Sequence, residues 1–357
     1  MHRNHQRKHW HRGYRVVWNV TSEIHNAHSI TPLAVHCKVT GASKSGQDRY
    51  HIGMKSPSFD AEITQFIERY LELSGLSTAT SVAQQRTDYE SMVRQFTYPH
   101  PANIRTEDSR LQGRHGHIPL RHYYHGPGDD SALILFLHGG GFILGSLDSH
   151  DDICAELCAA TGFNLVSVDY RLSPEYLHPV HLDDVEDTFL ALGHANTILA
   201  GVSAGGTLAA ALSHRLKSSP LRARGQVLVY PGLGGERYAL DSYRDNAEAP
   251  LLSTRDIHYY RGTRCANGVL PIDDPEFYPL AASDYRGTPP TIAFSADVDP
   301  LRDDARSYVA KLQNAEVSAS WINEPGLVHD YLRARHVSRV AGAAFARICE
   351  AITRLAS

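Results

Sequence analysis

Short apolar runs recur along the chain after residue 120 and alternate with stretches of helical periodicity. We predict strands at six of these runs: 132–137, 165–168, 198–202, 226–230, 291–294 and 317–322. Apolar residues at helical spacing lie between several of them, at 149–160, 182–192 and 205–217. Continuous apolar strands that alternate with helices are typical of a parallel sheet covered on both faces. The pattern therefore predicts an α/β fold with a mostly parallel central sheet.

Two amphipathic helices are predicted ahead of the first strand. The first follows Ser58, a candidate N-cap, and ends before Gly75; its apolar residues at helical spacing are Phe59, Ile63, Phe66, Ile67, Tyr70 and Leu71. The second, at 82–96, has one apolar face that contains Tyr89, Met92, Val93 and Phe96. Such stripes usually pack on a core, and a lid over a site is the alternative. The two roles are compatible.

The leading residues, 1–53, differ in composition from the rest of the chain. They contain eight Lys or Arg, two acids and eight of the 22 His, whereas the whole chain has a net charge of −4. They lack a sustained helical or strand period, so they have no apolar face to bury. We expect a disordered extension, which an internal start at Met54 would omit. Metal binding by the His-rich tract and a transit peptide are weaker alternatives.

The overall composition excludes several classes of function. The 357 residues are 42% apolar and 21% charged, which suits a soluble globular protein with a large core. The negative net charge gives no overall field to hold a nucleic-acid backbone. No apolar run approaches the roughly 20 residues that span a bilayer, and no apolar signal segment stands at the N-terminus. The five cysteines have no CxxC spacing, which favours a reducing, cytoplasmic location.

A glycine-rich run, HGGG at 138–141, directly follows the predicted strand at 132–137. Glycines leave the backbone amides uncovered, so such a loop can direct them at an anion. The run does not match the dinucleotide-binding pattern G-x-G-x-x-G, because Leu144 stands at the last glycine position. A plain tight turn is the alternative. The loop therefore predicts an anion-stabilising site without a nucleotide cofactor.

The sequence Gly-Val-Ser-Ala-Gly at 201–205 joins the predicted strand at 198–202 to the predicted helix at 205–217. In a nucleophile elbow, the serine stands on a sharp turn between a strand and a helix. That turn crowds the positions two before and two after the serine, which must therefore be small. The match in both spacing and context predicts Ser203 as a nucleophile.

Asp299 and His329 are the candidate acid and base for this serine. A serine hydroxyl reacts when a base takes its proton, and a carboxylate fixes the tautomer of that base. The chain order in folds with this elbow is Ser, then acid, then His. Asp299 and His329 follow two predicted strands, so both are expected at the sheet edge that carries Ser203. The weaker candidates for these roles are Asp297, Asp303, Asp304 and His258.

Five motifs together resemble the bacterial hormone-sensitive-lipase-like esterases of the α/β-hydrolase fold, from about residue 58 to the C-terminus. They are HGGGF at 138–142, YRLSPE at 170–175, GVSAGG at 201–206, DPLRDD at 299–304 and GLVHDY at 326–331. The resemblance implies a catalytic triad of Ser203, Asp299 and His329. It also implies an oxyanion hole made by the backbone amides of Gly140, Gly141 and Ala204.

The resemblance further implies how the chain is divided. Residues 54–110 are expected to supply helices to a cap over the acyl pocket, and residues 111–357 to form the α/β-hydrolase domain. An insertion near 241–277, which lacks a clear strand pattern, is expected to complete the cap.

Two positions depart from the pattern of that family. Val202 replaces the acidic residue that usually precedes the nucleophile, and Asp330 replaces the usual glycine after the catalytic histidine. A carboxylate beside His329 would favour its protonated form if the side chain turned inward. Within YRLSPE, we expect Arg171 and Glu175 to hold loops together rather than bind substrate.

The sequence therefore predicts a serine carboxylesterase that hydrolyses small to medium acyl esters through an acyl-enzyme intermediate. The same machinery can cleave an amide, a carbamate or a lactone, because the elbow does not encode the leaving group. A ligand-binding protein of the same fold without catalysis is the alternative from another class. We expect no cofactor and no metal. The expected partner is a small-molecule ester rather than a nucleic acid or a membrane. The sequence leaves open whether the protein forms a homodimer.

Overall fold

The computed structural model describes residues 10–11, 14–15, 59–74, 81–126 and 131–357. The chain divides into two compact units, Met1–Ser56 and Pro57–Ser357. In the first unit, β1 (Trp10–His11) pairs antiparallel with β2 (Tyr14–Arg15). The rest of the expected extension, 1–53, lies outside the described residues, so its disorder stays a prediction.

An eight-stranded sheet forms the centre of the second unit, with the strand order β10-β9-β8-β7-β5-β6-β4-β3. Its strands are β3 (Ile104–Gly113), β4 (Gly116–His125), β5 (Leu133–Leu137), β6 (Asn164–Val168), β7 (Thr197–Val202), β8 (Gly225–Val229), β9 (Thr291–Val298) and β10 (Ala319–Val328). The pairs from β6 through β10 are all parallel, while β4 pairs antiparallel with β6 and with β3. The prediction of a mostly parallel sheet is confirmed.

The hairpin of β3 and β4 is absent from the sequence-based prediction. Strand β3 lies at the edge of the sheet, and most of its residues are exposed, including Glu107 and Asp108. An edge strand needs no continuous apolar run, because it has one neighbouring strand and much of its surface faces water. Strands β9 and β10 are also longer than predicted, by four and six residues at their C-terminal ends, since polar residues interrupt their apolar runs.

Helices cover both faces of the sheet. They are α1 (Ala61–Ser74), α2 (Val82–Val93), α3 (Asp151–Thr161), α4 (Val180–Leu192), α5 (Ala204–Arg215), α6 (Ser242–Asp245), α7 (Thr254–Thr263), α8 (Arg302–Asn314) and α9 (Arg339–Ala356). Alternate residues of a strand point to opposite faces. Thus Ile134 and Phe136 of β5 pack in one cluster with α1, α3 and α9, whereas Leu135 and Leu137 pack with α4, α5 and α8. None of the described helices is long and apolar enough to cross a membrane.

The two N-terminal helices form as predicted, with one difference at the start of α1. The carboxylate of Asp60 accepts a hydrogen bond of 2.8 Å from the amide of Ile63, so Asp60 caps this helix. The predicted cap, Ser58, lies outside the described residues. The buried face of α1 consists of Ile63, Phe66 and Ile67, while Leu71 is 48% exposed and does not belong to it. The predicted insertion at 241–277 contains α6 and α7.

Candidate active site

Ser203 stands on a strained turn between β7 and α5. Its backbone has φ 51° and ψ −116°, a conformation that lies outside the regions side-chain-bearing residues ordinarily adopt. The Ser203 amide donates a 2.9 Å hydrogen bond to the carbonyl of Val229 on β8, which anchors the turn to the sheet. A Cβ on Gly205 would lie 1.9 Å from the carbonyl oxygen of Leu137, so glycine is required there. This is the strand-turn-helix geometry of a nucleophile elbow.

A chain of hydrogen bonds joins the three predicted triad residues. His329 Nε2 lies 2.9 Å from Ser203 Oγ, and His329 Nδ1 lies 2.6 Å from Asp299 Oδ2. Asp299 is fully buried, and its second oxygen accepts a 2.8 Å hydrogen bond from the amide of Leu301. Ser203, Asp299 and His329 each directly follow the last residue of a parallel strand: β7, β9 and β10 respectively. The C-terminal ends of these strands therefore bring the three side chains together.

The weaker candidates have other partners. Asp297 accepts hydrogen bonds from the side chain of Asn323 and the amide of Gly326, and so braces β10. The carboxylate of Asp304 accepts hydrogen bonds from three amides of the loop after β8. Asp303 accepts a hydrogen bond from the amide of Ser242 and pairs with Arg302. His258 is exposed on α7.

The surroundings of His329 raise its pKa above the ordinary value of 6.5. Burial alone would lower this pKa, but the negative charge of Asp299, the hydrogen bond to it and the negative charge of Asp330 outweigh burial. Asp330 itself has φ 59°, in the left-handed region that aspartate tolerates better than most residues. This conformation explains why glycine suits the position in the resembled family. The Asp330 carboxylate forms an ion pair of 2.7 Å with the buried guanidinium of Arg333.

The loop that carries the HGGG run, 138–145, which we call the glycine loop, lies beside the nucleophile. Gly140 has φ 120°, and a Cβ there would lie 2.2 Å from the carbonyl oxygen of Leu144, so the loop closes only with glycine. The described residues include no hydrogen-bond partner for the backbone amides of the three expected oxyanion-hole residues, which are Gly140, Gly141 and Ala204. All three line the cavity that contains Ser203 and His329. The amides are therefore available to an anion.

The base of the glycine loop is held by a buried aromatic pair. The ring of His138 stacks on Tyr170, with centroids 4.2 Å apart, and the Tyr170 hydroxyl donates a 2.8 Å hydrogen bond to the His138 carbonyl. Burial lowers the pKa of His138 to about 4, so its ring is neutral at pH 7. The neutral ring donates from Nδ1 to the carbonyl of Gly139 at 2.7 Å. The tyrosine of the YRLSPE motif therefore fixes the start of the glycine loop.

The cavity above Ser203 has a volume of about 130 Å³ and is lined on one side by the cap, by which we mean α1, α2 and residues 241–277. The cap residues that line it are Tyr70, Tyr89, Leu251, Leu252, Ile257, Tyr260, Arg261 and Arg264. On the sheet side it is lined by the glycine loop, the elbow and the residues around His329. Most of this lining is apolar or aromatic, as is usual for a pocket that takes small organic molecules.

Arg86 on α2 links the cap to the glycine loop, a role that sequence analysis missed. Its guanidinium donates to the carbonyl of Ile143 at 2.8 Å and to the carbonyl of Ser173 at 2.9 Å. It also forms a two-pronged ion pair with Glu175, at 2.9 and 2.7 Å. Arg171 pairs with the buried Asp184. Arg171 and Glu175 thus hold loops together, as expected from the sequence.

One group of described residues has the composition of a metal site. His178, Asp274 and Glu276 place potential ligand atoms within 4.8 Å of one another. However, His178 and Asp274 share a 2.9 Å hydrogen bond, and both oxygens of Glu276 bind Arg215. These contacts occupy the potential ligand atoms: Glu276 forms an ion pair with Arg215, and His178 shares a hydrogen bond with Asp274.

Comparisons with known proteins show which family the chain is similar to. A family model described as alpha/beta hydrolase fold matches residues 134–333, a range that contains the glycine loop and all three triad candidates. Ethyl acetate hydrolase of Pseudomonas putida is 31% identical over 265 residues, which cover 69% of this chain and 81% of that protein. Carboxylesterase NlhH of Mycobacterium tuberculosis is 33% identical over 256 residues, with coverages of 66% and 78%.

The solved structures extend the similarity across the second unit. An esterase from the bacterial hormone-sensitive lipase family aligns with a TM-score of 0.75 at 25% identity, covering 83% of this chain and 98% of its own. The esterase of Pyrobaculum calidifontis aligns with a TM-score of 0.76 at 26% identity, with coverages of 84% and 99%.

Proposed function

Because the chain belongs to the alpha/beta hydrolase family and is a carboxylic ester hydrolase, we propose that Ser203, His329 and Asp299 perform its reaction on small to medium acyl esters. The observation that carries this proposal is the unbroken hydrogen-bond chain from the Asp299 carboxylate through His329 to Ser203 Oγ. A hydroxyl that is bonded to an imidazole, which is in turn bonded to a buried carboxylate, is the arrangement that activates a serine nucleophile.

The proposed reaction has two similar halves. Ser203 Oγ attacks the ester carbonyl while His329 Nε2 takes its proton, and Asp299 stabilises the imidazolium through Nδ1. The resulting oxyanion accepts hydrogen bonds from the amides of Gly140, Gly141 and Ala204. His329 then gives its proton to the leaving alkoxide, which produces the acyl-enzyme. Water, activated by His329, repeats the cycle and releases the acid.

The size and lining of the cavity support short acyl groups. A volume of about 130 Å³ is small beside the several hundred Å³ of a typical drug-sized pocket. The name of the Pseudomonas putida relative, ethyl acetate hydrolase, points to the same substrate range. The described cysteines, Cys154, Cys158, Cys265 and Cys349, carry free thiols, which supports action in the reducing cytoplasm.

Hydrolysis of a series of p-nitrophenyl esters, from acetate to dodecanoate, tests this proposal. We expect kcat/KM to be highest at the short end, and Ser203→Ala to lower kcat by on the order of 10⁴- to 10⁶-fold while the protein stays folded. The matched control is Ser218→Ala, which changes an exposed serine shortly after α5 and should leave kcat unchanged. Wild-type turnover in a folded Ser203→Ala protein would contradict the assignment. Rapid cleavage of amides but not of esters would favour the amidase alternative.

A further inference from the structure

Arg264 is a buried arginine in the wall of the active-site cavity. It directly follows α7 in the cap, is 2% exposed and lines the same cavity as Ser203 and His329. In the part of the chain that the structure describes, its guanidinium makes neither an ion pair nor a hydrogen bond, and its Nε is buried without a partner. Buried arginines are almost always paired, because an isolated charge is costly to remove from water.

Two aromatic rings hold the guanidinium in place. Its central carbon lies 3.4 Å from the ring centroid of Phe142 and 4.1 Å from that of Phe277. A guanidinium has its five N–H donors along the edge of its plane. Aromatic rings that stack on its face leave those donors without hydrogen bonds. Phe142 directly follows Gly141 of the glycine loop. The positive charge is therefore fixed next to the proposed oxyanion hole, with its hydrogen-bond donors unoccupied by described residues.

The neighbouring Arg261 provides an internal comparison. It also lines the cavity from α7, but it forms an ion pair with Glu236, and its guanidinium donates to the Tyr243 hydroxyl at 3.2 Å. The protein thus supplies a carboxylate to Arg261, whereas the described residues supply none to Arg264.

The remaining groups near Arg264 do not replace a carboxylate. Its titratable neighbours are Cys265, Arg261, Tyr278 and Tyr170, together with His178 and His181. Burial lowers the pKa of Arg264 to about 9, and the charge of Arg261 acts in the same direction, so the guanidinium stays charged at pH 7. Asp330 also lines the cavity, but its carboxylate is bound by Arg333.

We propose that Arg264 binds a carboxylate of the substrate, so that the enzyme prefers esters that carry a negative charge on the acyl or the alcohol part. This inference rests on the proposed function and adds the substrate class. A carboxylate matches the edge of a guanidinium with two parallel hydrogen bonds. Because Arg264 lines the same cavity as Ser203, and this cavity has a volume of about 130 Å³, a carboxylate a few atoms from the scissile ester bond fits the arrangement.

Two pairs of esters of matched shape test the proposal and locate the charge. Monoethyl succinate carries the carboxylate on its acyl part, and ethyl isocaproate replaces it with an isopropyl group. Butyryl glycolate carries the carboxylate on its alcohol part, and isobutyl butyrate is its neutral counterpart. Hydrolysis is followed in a pH-stat, and the measured quantity is the ratio of kcat/KM for the charged ester to that for the neutral one.

We expect wild-type protein to prefer the charged ester in at least one pair. Arg264→Met should lower the ratio for that pair by roughly 10- to 100-fold, the effect of losing charge-assisted hydrogen bonds in a buried site. Arg264→Lys should retain part of the preference. The control Arg255→Met removes an exposed arginine from α7, the helix that directly precedes Arg264, and should leave the ratio unchanged.

Two results would overturn the proposal. In the first, the wild-type protein prefers the neutral ester in both pairs, a result that contradicts the proposal without any variant. In the second, Arg264→Met lowers kcat/KM for charged and neutral esters equally, which would show that Arg264 only supports Phe142 and the glycine loop. Failure of the proposed function looks different, because no ester of either pair would then be hydrolysed.

Discussion

The sheet side and the cap side of the cavity are built in different ways. On the sheet side, Ser203, Asp299 and His329 each follow the end of a parallel strand, and backbone hydrogen bonds fix their positions. On the cap side, long side chains from segments far apart in sequence act instead: Arg264 lines the cavity, and Arg86 binds the glycine loop at the carbonyl of Ile143. We therefore expect changes on the sheet side to act on the chemical step, and changes of single side chains on the cap side to act on substrate choice and loop position.

After the loss of the nucleophile itself, the largest expected effect on the sheet side is that of Asp299→Asn. Oδ1 of Asp299 already accepts from the amide of Leu301, so the new NH₂ group of asparagine would face His329 Nδ1. His329 would then carry its proton on Nε2 and could not accept the proton of Ser203. We expect kcat to fall by about 10⁴-fold with little change in the thermal midpoint.

Asp297→Asn is the matched control for this prediction. Asp297 lies two residues before Asp299 but binds Asn323 and the amide of Gly326 instead of His329. This variant should change kcat by less than about tenfold and act mainly on stability. The assignment of the acid would be wrong if Asp297→Asn were the inactive protein and Asp299→Asn the active one.

On the cap side, Arg86→Met tests whether the cap positions the glycine loop. The change removes the hydrogen bonds of Arg86 to Ile143 and Ser173 and its ion pair with Glu175. A displacement of the oxyanion-hole amides by a fraction of an ångström weakens transition-state stabilisation, so we expect kcat/KM for a short ester to fall by roughly 10- to 100-fold.

The control is Arg94→Met, which removes an exposed arginine directly after α2 and should leave kcat/KM unchanged. Thermal unfolding of both variants separates a local displacement from a general loss of stability. Full activity of a folded Arg86→Met protein would show that the glycine loop holds its position without the cap.

The same contrast explains which features were predictable from the sequence. The elbow requires glycine at defined positions, so Ser203 could be found from a five-residue motif and its strand-helix context. Strand β9 was predicted four residues too short, because the polar residues Ser295 and Asp297 break its apolar run, although β10 and β8 pair with the strand.

No comparable sequence motif marks the cap residues Arg86 and Arg264. Arg86 contacts Ile143, 57 positions away in the chain, and Arg264 stacks on Phe142 from a segment without strand pattern. An arginine in such a segment is most often a surface residue. Only the folded arrangement shows that Arg264 is buried and that described residues offer it no carboxylate.

The smallest expected effect concerns Asp330, which links the sheet side of the cavity to the cap side. Its carboxylate raises the pKa of His329 and binds Arg333, whose guanidinium also donates to Tyr89 of the cap at 2.9 Å. Neutral His329 is the proposed base, so kcat/KM should fall as the pH decreases through its pKa, which lies above 6.5.

Asp330→Asn removes a negative charge that favours the protonated form of His329, so the pKa should fall and the acid limb of the pH profile of kcat/KM should move to lower pH. Asparagine tolerates the φ of 59° at this position, and its carbonyl can still accept a hydrogen bond from Arg333. On the acid limb the variant should therefore be more active than the wild type, each relative to its own plateau, by less than about tenfold, which corresponds to a pKa change below one unit.

The measurement is kcat/KM for a neutral ester between pH 5 and 9, beside thermal midpoints that verify the fold. Asp297→Asn again serves as the control, because Asp297 does not contribute to the raised pKa of His329. An acid limb that stays in place, or moves to higher pH, would mean that the ion pair with Arg333 screens Asp330 from His329, and that Asp330 serves the link to the cap rather than the basicity of the histidine.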